Sequence, residues 1–303
     1  MNYEERRKAL LDKIARPDLL NSEGHDMYGN TAMALLLTGR CIEEADNSIR
    51  RVSEWFERPH PWGRKHNGEC DFAAMKMMRL TWLKDLRERL TPGTRESVKR
   101  FFLTRDFASM HKSENHMFLF RTSRYLAACA MPGEKFESYG AVGAELIGED
   151  REWLEKFMRY RARFGWGEFD SPCYMQPDFE CLLNLYDFAP DEKLRELSGM
   201  MLNCMLADML VDSLEGMYCG AHGRIYSRHA MDHFCENSRQ LFCLYFDIIG
   251  PSEVPDKVMI DVLTSGFRPH PVIETLAGNR KKPLRTGNAS IFIILLIFFR
   301  KLQ

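Results

Sequence analysis

Apolar residues recur at helical spacing along almost the whole chain, and no segment has the alternation and β-branched content of a strand ladder. A chain patterned this way buries its apolar stripes by packing helix on helix. The spacing predicts helices over 3–15, 28–38, 41–57, 70–89, 92–103, 113–131, 135–147, 149–163, 175–187, 191–214, 231–249 and 256–264. Thr91-Pro92 supplies an N-cap followed by a proline at the first helical position. The fold class expected is all-α: an (α/α) toroid, or an incomplete barrel of antiparallel helical hairpins.

The connections are of two kinds. Some are tight, such as Ala189-Pro190 and the single Gly148. Four are long and rich in Gly, Pro, His and aromatics: 58–69, 104–115, 164–174 and 215–230. Long structureless loops in a compact domain are uncommon and usually functional. If the hairpins stack side by side, alternate loops fall on one end, so these four are expected to converge on one rim. No fixed-period sequence repeat is present, and residues 1–285 read as one domain.

Charge narrows the partners. Lys plus Arg (42) nearly equals Asp plus Glu (43), so the chain carries no global electrostatic footprint for nucleic acid. The nine cysteines are odd in number, form no CxxC pair, and mostly sit in apolar helical stretches. They are expected to be reduced and packed as small hydrophobes. The N-terminal stretch has no apolar core of a signal peptide, so the location expected is cytoplasmic. The run Ile291 to Phe299 is the one membrane-like stretch. Nine residues rise only about 14 Å as a helix, short of a bilayer core. Residues 286–303 are therefore expected to be a packed or truncated terminal segment, with no membrane partner.

Three stretches could carry chemistry. Ser113-Glu114-Asn115-His116 puts an amide beside an imidazole at a helix start, where the same residues also serve as caps. The segment 165–174 holds Trp166 between two glycines, where its ring could stack on a sugar. It also holds Glu168 and Asp170, two residues apart, and Tyr174 just after Ser171-Pro172. The segment 220–229 mixes glycines with His222, Arg224, Tyr226, Arg228 and His229. Its two arginines could clamp a carboxylate, and a tyrosine beside a guanidinium can titrate below its usual value. Trp62, in the first long loop, is a further candidate for stacking on substrate.

Metal chemistry is not expected. His222, His229 and His233 are seven and four residues apart, which matches no tight ligand motif. Walker A, GxGxxG and GxSxG patterns are absent from the sequence.

Asn115-His116, followed 58 residues after the histidine by Tyr174, on an all-helical chain, resembles the (α/α)-toroid polysaccharide lyases. These include the alginate lyases, the chondroitin AC lyases and the heparinase II/III-like enzymes. Two positions depart from that pattern. Glu114 stands where alginate lyases of this kind often carry a second asparagine, and Glu168 where they tend to carry an arginine. Arg224 or Arg228 would then take over the neutralisation of the substrate carboxylate. The C-terminal β-sandwich of many such lyases is not expected within the residues after 280.

The resemblance implies β-elimination in a uronic-acid-containing poly- or oligosaccharide, without metal or organic cofactor. Asn115, with Arg224, would neutralise the uronate carboxylate as charge develops toward an enolate. His116 or Tyr174 would abstract the proton beside that carboxylate, and Tyr174 would protonate the leaving oxygen. Tyr226 belongs to the same catalytic set; Glu114, Trp166, Trp62, His222 and Arg228 would contact the sugar. Two alternatives remain from the residues themselves. One is a glycoside hydrolase on a similar barrel, like the unsaturated uronyl hydrolases, with Glu168 or Asp170 as general acid. The other is a helical scaffold without catalysis.

Overall fold

The structure is a computed structural model that describes residues 1–20, 28–57, 70–106, 113–218, 221–232, 238–250 and 260–278. It is mostly α-helical, as the periodicity predicts. The helices are α1 (Tyr3–Ile14), α2 (Asn30–Thr38), α3 (Ile42–Glu57), α4 (Cys70–Trp82), α5 (Lys84–Arg87), α6 (Pro92–Thr104) and α7 (Glu114–Ala130). They continue as α8 (Gly143–Phe164), α9 (Met175–Phe188), α10 (Glu192–Val211), α11 (Ser227–Met231), α12 (Ser238–Leu241), α13 (Ile260–Thr264) and α14 (Pro271–Gly278). Trp62, His233, Cys219, Cys235 and the run Ile291 to Phe299 lie outside the described residues, as does the expected boundary at 285.

Helices α4, α7 and α9 pack against one another at the centre. Their residues are buried on nearly every face, and the buried cations among them are paired with carboxylates. Helices α6, α8 and α10 flank them, and α3 packs outside α6. The N-terminal helix closes against the C-terminal part of the chain. Arg6 donates to the Leu244 carbonyl at 2.8 Å, Arg7 donates to the Leu263 carbonyl, and the Tyr3 ring stacks on Tyr245. Asn2 and Glu5 form a capping box that fixes where α1 begins.

Short α13 brings Asp261 into this centre, where it binds Lys76 of α4. Lys76 also pairs with Glu180 of α9 at 2.6 Å, and Arg79 pairs with Asp187 at 2.7 Å. Five charged side chains thus tie three elements together away from water.

Several expected boundaries shift. The predicted helices 135–147 and 149–163 are one helix, α8, with Gly148 inside it on the exposed face. A glycine there costs about 1 kcal/mol relative to alanine, which a long packed helix absorbs. Residues 135–136 and 141–142 instead pair as a small antiparallel hairpin, β1–β2. Gly143 is needed at the following turn, because a Cβ there would lie 2.5 Å from the Met131 carbonyl oxygen. Helix α10 ends at Val211, and 213–214 pair with 217–218 as β3–β4 around Glu215 and Gly216. Both turn residues have positive φ, the geometry of a two-residue hairpin. The predicted helix 70–89 breaks at Leu83, and the described residues from 238 to 249 form α12 and a π turn over Phe242–Phe246. The seven described cysteines are free thiols. Among the described residues no helix is long and apolar enough to cross a membrane.

Candidate functional site

The first turns of α4, α7 and α9 meet at one end of the molecule. Two side-chain pairs fix this. His116 Nδ1 lies 2.5 Å from Asp71 Oδ2, and Asn115 Nδ2 donates to Asp178 Oδ2 at 2.9 Å. Asp71, Asn115 and Asp178 are almost fully buried, and the His116 side chain is 14% exposed. The imidazole is also wedged against Phe72 and Phe120. Burial pushes the Asp178 carboxyl well above the usual range, with the Glu114 charge adding to the effect.

The connection 164–174 is pinned over this end. Gly165 leaves α8 with φ +76, a conformation that favours glycine. Trp166 then packs on Phe118 and Phe157, so its ring is partly committed to the protein. The Gly167 N–H points at the Glu114 carboxylate, 3.0 Å from each oxygen, and Arg161 binds the same carboxylate at 2.6 Å. Glu114 therefore holds the loop down. Ser171 Oγ accepts from the Cys173 and Tyr174 amides. The capping foreseen at Ser171-Pro172 is present, but the helix proper begins at Met175, with Tyr174 as its N-cap.

The connection after α10 folds onto the same loop. Gly223 N–H donates to the Phe169 carbonyl at 2.7 Å, and His222 Nδ1–H donates to the Asp170 carbonyl. A Cβ on Gly223 would meet the Phe169 nitrogen at 2.8 Å, so only glycine fits this approach. The Tyr218 hydroxyl donates to Asp170 Oδ1 at 2.6 Å.

Two tyrosines meet at the top of this assembly. The Tyr174 and Tyr226 hydroxyls are 2.6 Å apart. The Arg224 guanidinium lies 5.0 Å from the Tyr174 ring centre and 5.5 Å from that of Tyr226. Glu168 approaches Arg224 at 3.6 Å. Arg228 also lies 5.7 Å from the Tyr226 ring centre and donates to His229 Nε2 at 3.0 Å. His229 Nδ1 in turn faces Cys173 Sγ at 3.4 Å. Tyr174, the tyrosine of the neighbouring connection, is raised above the usual phenol range. Burial, with the hydrogen bond that its hydroxyl gives to Tyr226, raises it and outweighs Arg224. Tyr174 is a phenol that keeps its proton.

Three of the four long connections are thus represented at one end: 164–174, 215–230, and the start of α7 that closes 104–115. The first, 58–69, lies outside the described residues with Trp62, though Asp71 comes two residues after it. Four residues in this region were not singled out in the sequence: Asp71, Asp178, Asp208 and Tyr218. Asp71 and Asp178 did leave a trace, being carboxylates in the first turns of two largely apolar helices. Asp208, in the last turn of α10, is pushed up to about 7 by burial, with Asp170 and Asp212 as like-charged neighbours. Two surface concavities lie elsewhere. One is lined by Pro17, Cys41, Glu44 and Arg50, the other by Trp82, Arg87, Lys99 and Cys129. Neither contains a candidate residue.

No protein-family model, no curated protein and no solved structure matches this chain. The functional reading therefore rests on the geometry of the cluster.

Proposed function

We propose that the chain is a polysaccharide lyase that cleaves a uronic-acid-containing glycan by β-elimination, on an (α/α) toroid. The observation that carries this reading is the Tyr174–Tyr226 hydroxyl pair beneath Arg224, at the end where Asn115-His116 opens α7. The toroid is supported by the succession of buried and half-exposed helices and by the packing of α1 against the C-terminal elements. The chemistry needs a base, an acid and a positive charge, and each has a residue suited to it.

The proton beside a uronate carboxylate is poorly acidic until that carboxylate is neutralised. Arg224, half-exposed, is suited to the task, with Arg228 next to it. Asn115 is less suited than the sequence suggested, because it is buried and its amide already serves Asp178. His116 takes the proton through Nε2. The electron pair of the broken C–H bond becomes the ring double bond, and the bond to the leaving oxygen breaks. Tyr174 gives its proton to that oxygen, and its raised affinity for the proton suits the role of acid over that of base. The Tyr226 hydroxyl, within hydrogen-bond reach, is positioned to restore it.

A second reading has its own observation. Asp208 holds a proton to about pH 7 while Asp170 accepts a hydrogen bond from Tyr218. A buried carboxyl that keeps its proton, with a second carboxylate as its charged neighbour, is the pairing a glycoside hydrolase uses for its general acid. The two readings differ in product. Incubation with a panel of uronate polymers, followed by ultraviolet absorbance, tests them. A lyase generates an unsaturated uronate that absorbs, whereas cleavage without new absorbance supports the hydrolase and removes the lyase.

A further inference from the structure

We infer that Asp71 is the positioning residue of this site, holding His116 in the tautomer that leaves Nε2 as the base. The inference rests on His116 acting in proton transfer, but its physical content is independent of any substrate.

Three observations lead to it. The first is the cost of the arrangement. The Asp71 side chain is fully buried, and its Oδ1 has no hydrogen-bond partner. An isolated buried carboxylate is expensive, and an apolar residue of similar size is usually the more stable choice. Asp71 makes one short contact, to His116 Nδ1. The second is direction. An ionised carboxylate can only accept, so the neutral ring must carry its proton on Nδ1 and its lone pair on Nε2. A neutral imidazole without this partner favours the opposite tautomer, with the proton on Nε2, which cannot accept a proton there.

The third is that the neighbouring residue is held in the same manner from the other side. Asn115 Nδ2 donates to the fully buried Asp178, whose Oδ1 also has no hydrogen-bond partner. The first turn of α7 is thus gripped between α4 and α9 by two buried acids. The Phe72 and Phe120 rings limit rotation of the imidazole between them. A base must be held in orientation as well as in protonation state, and the pairing supplies both.

The test is nitrogen NMR of the histidine ring in the whole protein, with no substrate present. At a pH where His116 is neutral, the expected spectrum has a protonated Nδ1 and an unprotonated Nε2. A spectrum with the proton on Nε2 overturns the inference at once, in the unsubstituted protein. Asp71→Ala should move the ring toward the Nε2–H form; an unchanged spectrum in a folded variant also overturns it. If that variant does not fold, the wild-type spectrum still decides. On a confirmed uronate substrate, Asp71→Ala should lower kcat by about 100-fold with KM little changed, and by no more than His116→Ala does. Absence of turnover on every uronate polymer counts against the lyase reading alone, since the tautomer is read without substrate.

Discussion

The Tyr174 hydroxyl meets the Tyr226 hydroxyl at 2.6 Å across 52 residues of sequence, and the contact joins two of the long connections that the chain's composition marks out. Neither tyrosine lies in a regular helix interior. Tyr174 stands at the N-cap of α9 and Tyr226 at the N-cap of α11, so both rings are set by helix starts.

Substitution of Tyr174 by phenylalanine removes one oxygen and leaves the ring contacts with Arg224. Under the lyase reading, turnover on a uronate polymer should fall at least about 100-fold, the lower end of what a general acid contributes. Circular dichroism and thermal melting should stay close to wild type. Full turnover in the folded variant would remove Tyr174 from the chemistry.

Asp208 makes stability depend on pH in a defined direction. Its carboxyl is raised from 3.8 to about 7 in the folded chain. Folding therefore retains a proton that the unfolded chain gives up near pH 4. The contribution is fully present below about pH 4 and is lost as pH rises through about 7, where the charge must be borne in a buried place beside Asp170 and Asp212. Asp208→Asn keeps the shape without the charge. Its stability relative to wild type should improve from pH 4 to pH 7 and then level off, by at most about 4 kcal/mol. Denaturant melts across this range measure it, and a difference independent of pH would contradict the assignment.

The ion cluster at the centre predicts a different kind of loss. Asp261→Ala leaves Lys76 with Glu180 alone and strips Arg79 of one partner. Breaking a buried ion pair from one side typically costs about 3–5 kcal/mol. Because Asp261 is what binds α13 to α4, proteolysis near 260–264 should also accelerate. A variant with wild-type melting would mean that the cluster contributes nothing net.

Much of the fold was legible because helical periodicity survives in single sequences. Helices α1, α3, α6, α7, α9 and α10 begin within two residues of the expected positions. The failures came where a close approach overrides pattern. Gly148 looked like a break, yet the break is set by Gly143 against Met131 and by the short hairpin before it. At the site, the residues on long connections could be found from composition, since Tyr174, Arg224 and Tyr226 do meet. Their partners could not. Asp71 lies 45 residues from His116 and Asp178 lies 63 from Asn115, and nothing local in the sequence records those pairings. Trp166 and Glu114 read as substrate contacts, but packing commits the indole to Phe118 and Phe157, and Arg161 with Gly167 commits the carboxylate.

The most direct test of β-elimination is to run the cleavage of a uronate polymer in heavy-oxygen water and weigh the products. Elimination breaks the sugar–oxygen bond without adding water, so the account predicts fragments that carry no heavy oxygen and whose new end is lighter by one water than a hydrolytic end. One heavy oxygen gained per cut, on the fragment that carries the new reducing end, with no unsaturated end, would contradict it and assign the cluster to hydrolysis.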